Sequence, residues 1–188
     1  QAAMSKNVIN QTEVSSSIKT MAVTAIDNAL ATALTNMEAA ELLSELTNAY
    51  NTAVAIFEAQ VQAVTDAAAK EAQEKAALAD AKTQALAAIQ SAVTSAKQAI
   101  NQAATGYEYE AKGITEPAFA LITTTDSTAS AGIQAALTIA AIAPIKEQAL
   151  TSIESTKTQA IEEINALIAS ILAKQAVLQE AKDAAKVQ

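Results

Sequence analysis

From Gln1 to Thr105 the chain has neither a glycine nor a proline; all three glycines and both prolines fall between Gly106 and Pro144. No other feature constrains the fold as much. Glycine and proline are the strongest punctuators of backbone structure. A hundred residues without them, in a chain that is roughly a quarter alanine, predict helix throughout, because alanine is the best helix former and loses no side-chain entropy on folding.

The apolar spacing agrees. Val14, Ile18, Met21, Ala25, Ile26, Ala29, Leu30, Ala33, Leu34 and Met37 recur at intervals of three and four, as on one face of an amphipathic helix. Thr35 and Glu38 match the S/T-x-x-E capping box, which would open a new helix; with no breaker beside them, the alternative is a match inside a continuous helix. The seam resumes through Leu43, Leu46, Tyr50, Ala53, Phe57, Val61 and Val64. It then thins, and residues 65–83 offer Leu78 as their only large apolar side chain. Leu86, Ile89, Val93, Ala96, Ile100 and Ala103 restore it before Gly106 supplies a helix stop. As one helix, residues 5–105 would be about 150 Å long and would need a partner; two or three antiparallel helices are the other arrangement.

Beyond Pro144, the residues Leu150, Ile153, Ala160, Ile161, Ile164, Leu167, Ile168, Ile171, Ala176 and Leu178 form the strongest seam, predicting a helix from about 145 to 185 with Pro144 at its start or at a kink. Between the arms, residues 117–143 carry Asp126 as their only charge. Their apolar side chains, Phe119, Leu121, Ile122, Ile133, Leu137, Ile139 and Ile142, flank a polar centre at Asp126, which reads as a hairpin folded there. The fold expected is all-α: an elongated, coiled-coil-like helical bundle, taken as one domain over 1–188. Arm one covers 5–105, an apolar and locally irregular connector 106–144, and arm two 145–187.

Composition narrows the function. Hydrophobic residues make up 51% of the chain but aromatics only 3%. With so much alanine, the apolar area buried per residue is modest and the seams are thin. The net charge is −8, and all 12 basic residues are lysine. No basic stripe and no arginine are present for phosphate, which argues against nucleic acid, and the acidic balance discourages anionic lipid headgroups. Cysteine and histidine are absent. Disulfides, the usual zinc ligands and the usual general base are therefore missing. Glu38, Glu41 and Glu45 would share a helix face, and Glu162 and Glu163 sit among apolar neighbours, yet neither set makes a Glu-x-x-His metal motif. No G-x-S-x-G elbow, S-x-x-K motif or glycine-rich phosphate loop occurs, so neither an enzyme nor a cofactor is expected. The chain starts at Gln1 with no signal-peptide n-region and h-region, which fits a processed or trimmed product.

Three likenesses follow from short patterns. The run from Lys82 to Gln90 (KTQALAAIQ) is echoed from Lys157 to Asn165 (KTQAIEEIN), and such phrases resemble the Ala/Thr/Gln-rich helical stalks of phage fibres and bacterial surface fibres. Thr83, Thr94 and Thr105 recur every eleven residues, similar to alanine-rich helical antifreeze proteins. Long helix, apolar hairpin, long helix resembles the layout of helical pore-forming toxins of the haemolysin type. The function expected is structural: a subunit of a filament, fibre or other particle, outside the cell or on a particle surface, packing against copies of itself through Leu150, Ile153, Ile161, Ile164, Ile168 and Ile171. The alternatives are a lipid-associating protein that inserts residues 117–143 and, more remotely, an ice-binding helix.

Overall fold

A computed structural model describes residues 1–186, and the fold is all-α. Five helices follow in order: α1 (Ala2–Gln11), α2 (Ser16–Ala39), α3 (Leu43–Ala103), α4 (Lys112–Ala135) and α5 (Ile139–Lys186). The described residues contain no strand. Contacts divide the chain into two units, Gln1–Ala76 and Ala77–Gln188, each with its own core, where one domain was expected over 1–188. The division falls inside α3, in the alanine-rich stretch whose only large apolar residue is Leu78. Alanine alone buries too little area to hold neighbouring helices there.

In the first unit, arm one breaks twice without glycine or proline. At Thr12 the backbone turns extended (φ −70°, ψ 133°), and the Thr12 hydroxyl donates to the carbonyl of Val8 at 2.9 Å. The chain doubles back, so α1 lies antiparallel on α2, with the Lys6 ammonium 2.7 Å from the Asp27 carboxylate and Lys19 donating to the Asn10 carbonyl at 2.9 Å. The Ser15 N–H donates to both oxygens of Glu71, at 3.1 and 3.3 Å, which ties this turn to α3. The second break is at Ala40–Leu42 rather than at Thr35. Thr35 lies within α2 and its hydroxyl donates to the carbonyl of Ala31, so it caps nothing. Instead Glu45, in the first turn of α3, accepts from the N–H groups of Glu41 (3.0 Å) and Leu42 (3.3 Å). That is the reach-back half of a capping box. Leu42 stands where a Ser or Thr would complete it, so the signal is unreadable in sequence. Glu38, Glu41 and Glu45 therefore lie in α2, in the break and in α3, and do not share a helix face.

In the second unit, residues 77–103 of α3 pack with α4 and α5. Lys82 donates to the Gln134 carbonyl (2.7 Å), Gln90 to Asp126 (2.7 Å) and Lys97 to the Thr123 hydroxyl (2.9 Å). Partner numbers fall as α3 advances, so α4 runs antiparallel to it. The turn between them uses Gly106 at φ +81°, and the Gly106 N–H donates to Glu108 at 2.9 Å. This bond holds the Glu108 carboxyl below its ordinary pKa.

The expected irregular connector is thereby corrected. Residues 106–144 comprise a turn, the whole of α4, a short break at Ala136–Thr138 and the first turn and a half of α5. Asp126 lies mid-helix; its carboxylate accepts from Gln90 and from the Ser130 hydroxyl, and the chain reverses ten residues later. Pro117 and Pro144 each occupy the sixth position of a helix. Just past the first turn, each forfeits one backbone bond without stopping the helix. Close approach of α4 to α5 is visible at Gly132, where an added Cβ would meet the Ile145 side chain at 3.4 Å.

The second core has a period that the seam spacing had concealed. Its buried residues include the pairs Ala85/Ile89 and Ala96/Ile100 on α3, Ala118/Ile122 and Ala129/Ile133 on α4, and Ala149/Ile153 and Ala160/Ile164 on α5. Within each helix the two Ala-x-x-x-Ile pairs are eleven residues apart. Eleven residues over three turns is 3.67 per turn against the ideal 3.6, a mismatch that favours right-handed winding. Alanine lets helix axes approach and isoleucine fills the space between them. The echo between Lys82–Gln90 and Lys157–Asn165 is this repeat, with Ala85/Ile89 matching Ala160/Ile164.

Two outcomes test this packing. Ile122→Ala or Ile164→Ala, each at a fully buried site, should lower the unfolding free energy in urea by about 2–5 kcal/mol; Ile161→Ala, half-buried, should cost less than either. Gly106→Ala should destabilise by about 1–2 kcal/mol, because its φ of +81° crowds a Cβ, whereas Gly113→Ala, helical and with open space around it, should be neutral or stabilising.

Candidate functional site

Among the described residues no polar or charged side chain is buried. No cluster of three carboxylates able to hold a metal ion occurs among them. Glu162 and Glu163 are both exposed on α5, and Glu163 accepts from Gln159 one turn away. Thr83 and Thr94 face solvent on α3 and donate to their own helix at Ala79 and Gln90, while Thr105 lies beyond the helix end. The row of aligned hydroxyls is two residues long within α3.

The seam residues of α5 divide between interior and surface. Ile153 and Ile164 are buried in the second core, and Leu150, Ile161 and Ile168 are half-buried against it. Their partners are helices of the same chain, so Ile153 and Ile164 are not available to another copy in this fold. Ile171 is partly exposed, at the end of the packed region. The connector residues divide in the same way. Ile122, Ile133 and Ile142 are core, and Phe119 packs partly against them with the Lys97 ammonium 5.9 Å from its ring centre. Leu121, Leu137 and Ile139 point outward, at 55%, 87% and 50% exposure.

Two apolar surfaces remain that sequence reading had not set apart from the core. The first surrounds the α2–α3 break, where Leu34, Leu43, Leu46 and Tyr50 are all exposed. The second is the end of α5, where every residue from 172 to 185 is exposed, Leu172, Val177 and Leu178 among them. Charge separates the two. No lysine occurs between Lys19 and Lys70, a stretch holding Asp27, Glu38, Glu41, Glu45, Glu58 and Asp66. The end of the chain carries Lys174, Lys182 and Lys186 against Glu180 and Asp183. An open groove of about 540 Å³ also lies between α2 and α3, lined by small and polar side chains such as Ala33, Asn36, Asn48 and Thr52. It is a helix-packing furrow without a buried polar group.

Compared with known proteins, the chain matches no family model, no curated protein and no solved structure.

Proposed function

We propose that this protein is a structural subunit that assembles with copies of itself into a filament, fibre or other particle. The observation carrying this reading is the amount of surface left uncovered. The chain exposes 12,054 Å²; the same mass as two separate compact globules would expose about 10,000 Å². The difference is comparable to the area that a stable protein interface buries. Large apolar side chains contribute to the exposed area, Leu34, Leu43, Tyr50, Leu137 and Leu172 among them. The reading assigns the chain no catalytic role and places it outside the cell or on a particle surface. Lipid insertion of residues 117–143 would first have to take Ile122, Ile133 and Ile142 out of the core. No described helix is long and apolar enough to cross a membrane.

The test is sedimentation velocity of the purified chain over about a thousandfold range of concentration, with electron microscopy of the fastest fraction. Growth of species larger than one chain with rising concentration is expected. A single sedimenting monomer throughout the range contradicts the proposal, and so does co-flotation with liposomes in place of self-association.

A further inference from the structure

The eleven-residue period also marks where each core stops along α3. In the first unit it links Ala22 to Ala33 on α2 and Ala53 to Val64 on α3, all four of them buried. Followed onward from Val64, it arrives at Lys75. Followed back from Ala85/Ile89, the first buried pair of the second core, it arrives at Glu74/Leu78. Each seam therefore meets a charged side chain at the position that would continue it. Nor do the two seams form one repeat. Two steps of eleven from Val64 reach Leu86, one residue past Ala85, so the period restarts instead of running through.

Burial follows the same pattern. Residues 72–77 (AQEKAA) are helical and all exposed. No Val, Leu, Ile, Met, Phe or Tyr occurs from Thr65 to Ala77, so about three and a half turns of helix have little apolar area to bury against any neighbour. The last tie to the first unit is Glu71, which accepts from the Ser15 N–H at 3.1 Å. The first ties to the second unit are Leu78, packed against its core, and Lys82, which donates to the Gln134 carbonyl at 2.7 Å. Between them the helix is held by its own backbone and by the Lys70–Glu74 pair, 3.9 Å apart and exposed on both sides. An exposed pair of this kind adds little.

We propose that residues 72–77 are a local opening point of α3, a stretch of helix that melts by itself while the cores before and after it stay folded. Alanine, glutamine, glutamate and lysine are strong helix formers, so the closed state prevails. Breaking a continuous helix in its middle requires one additional nucleation, which limits the open state to a population on the order of 10⁻³. Unfolding a core of ordinary stability is rarer, on the order of 10⁻⁴ or less. Opening at 72–77 is therefore the more frequent event, and each unit folds and unfolds without the other. The inference stands apart from the self-assembly reading, because it concerns contacts within one chain.

Native-state amide exchange of the full chain, read by mass spectrometry at a series of low urea concentrations, tests this. Residues 72–80 should exchange at least tenfold faster than residues 57–64 and 85–100 of the same helix. Their rate should stay nearly constant as urea is added, because local melting exposes little surface. Uniform protection along α3, or exchange at 72–80 that accelerates with urea in step with either core, overturns the proposal. A pair of proline variants supplies the second arm. Gln73 and Ala87 are both exposed on α3, the first within the opening point and the second beside the core residues Ala85 and Ile89. Gln73→Pro should abolish protection at 72–80 and leave the urea midpoints of both cores, followed by exchange at 57–64 and 85–100, where they are in the wild type. Ala87→Pro should lower the midpoint at 85–100, because proline there removes a backbone bond from a helix that carries a core. If Gln73→Pro lowers either midpoint as far as Ala87→Pro does, or prevents folding, the bridge supports the cores and the proposal is wrong.

Discussion

A core made almost entirely of alanine and isoleucine is the constraint on which the rest of this structure depends. Such side chains exclude water only where helix axes lie close together and in register, and the Ala-x-x-x-Ile pairs eleven residues apart supply that register on α3, α4 and α5. Each alanine admits a neighbouring backbone and each isoleucine fills the space that results. The same economy limits reach. Where pairing partners stop, as they do past Ile171, or where large apolar residues thin out, as they do around Leu78, the core ends. Two cores and an unaccompanied helix end are the consequences.

Part of this fold was legible in residue order. The absence of breakers up to Thr105 makes the first half helical; the thin stretch at 65–83 was visible too, but it was read as part of one domain, whereas the boundary between the two cores falls within it. Gly106 marks a turn, and its φ of +81° is the conformation glycine alone adopts without strain. Other features were masked for definite physical reasons. The break before α3 is capped by Glu45 without a Ser or Thr, so the half-motif Thr35/Glu38 drew attention to the wrong place. Pro117 and Pro144 each stand at the sixth position of a helix that continues through them at the cost of one backbone bond, so neither marks a helix start or end as proline usually does. Asp126, the only charge in an apolar run, looked like a turn; in fact it takes a hydrogen bond from Gln90 across two packed helices.

The candidate surfaces were partly legible too. Spacing by threes and fours assigned Ile153 and Ile164 to a seam between copies, but both are buried in the chain's own second core; periodicity cannot say whether the partner is the same chain or another one. Only the helix order settles that, by bringing α4 against α5. The eleven-residue period marks the buried pairs themselves. It was in view at Thr83, Thr94 and Thr105, the solvent-facing counterpart of the buried Ala/Ile pairs.

The account's central claim is the proposed one, that copies of this chain cover one another's exposed apolar helix faces. Amide hydrogen exchange of residues 34–50 and 172–185, which carry Leu34, Leu46, Tyr50, Leu172 and Leu178 in exposed positions, tests it most directly when read by mass spectrometry at increasing chain concentration. As chains associate, exchange should slow at least tenfold in one or both segments. Exchange that stays unchanged in both segments over the whole concentration range would contradict the account.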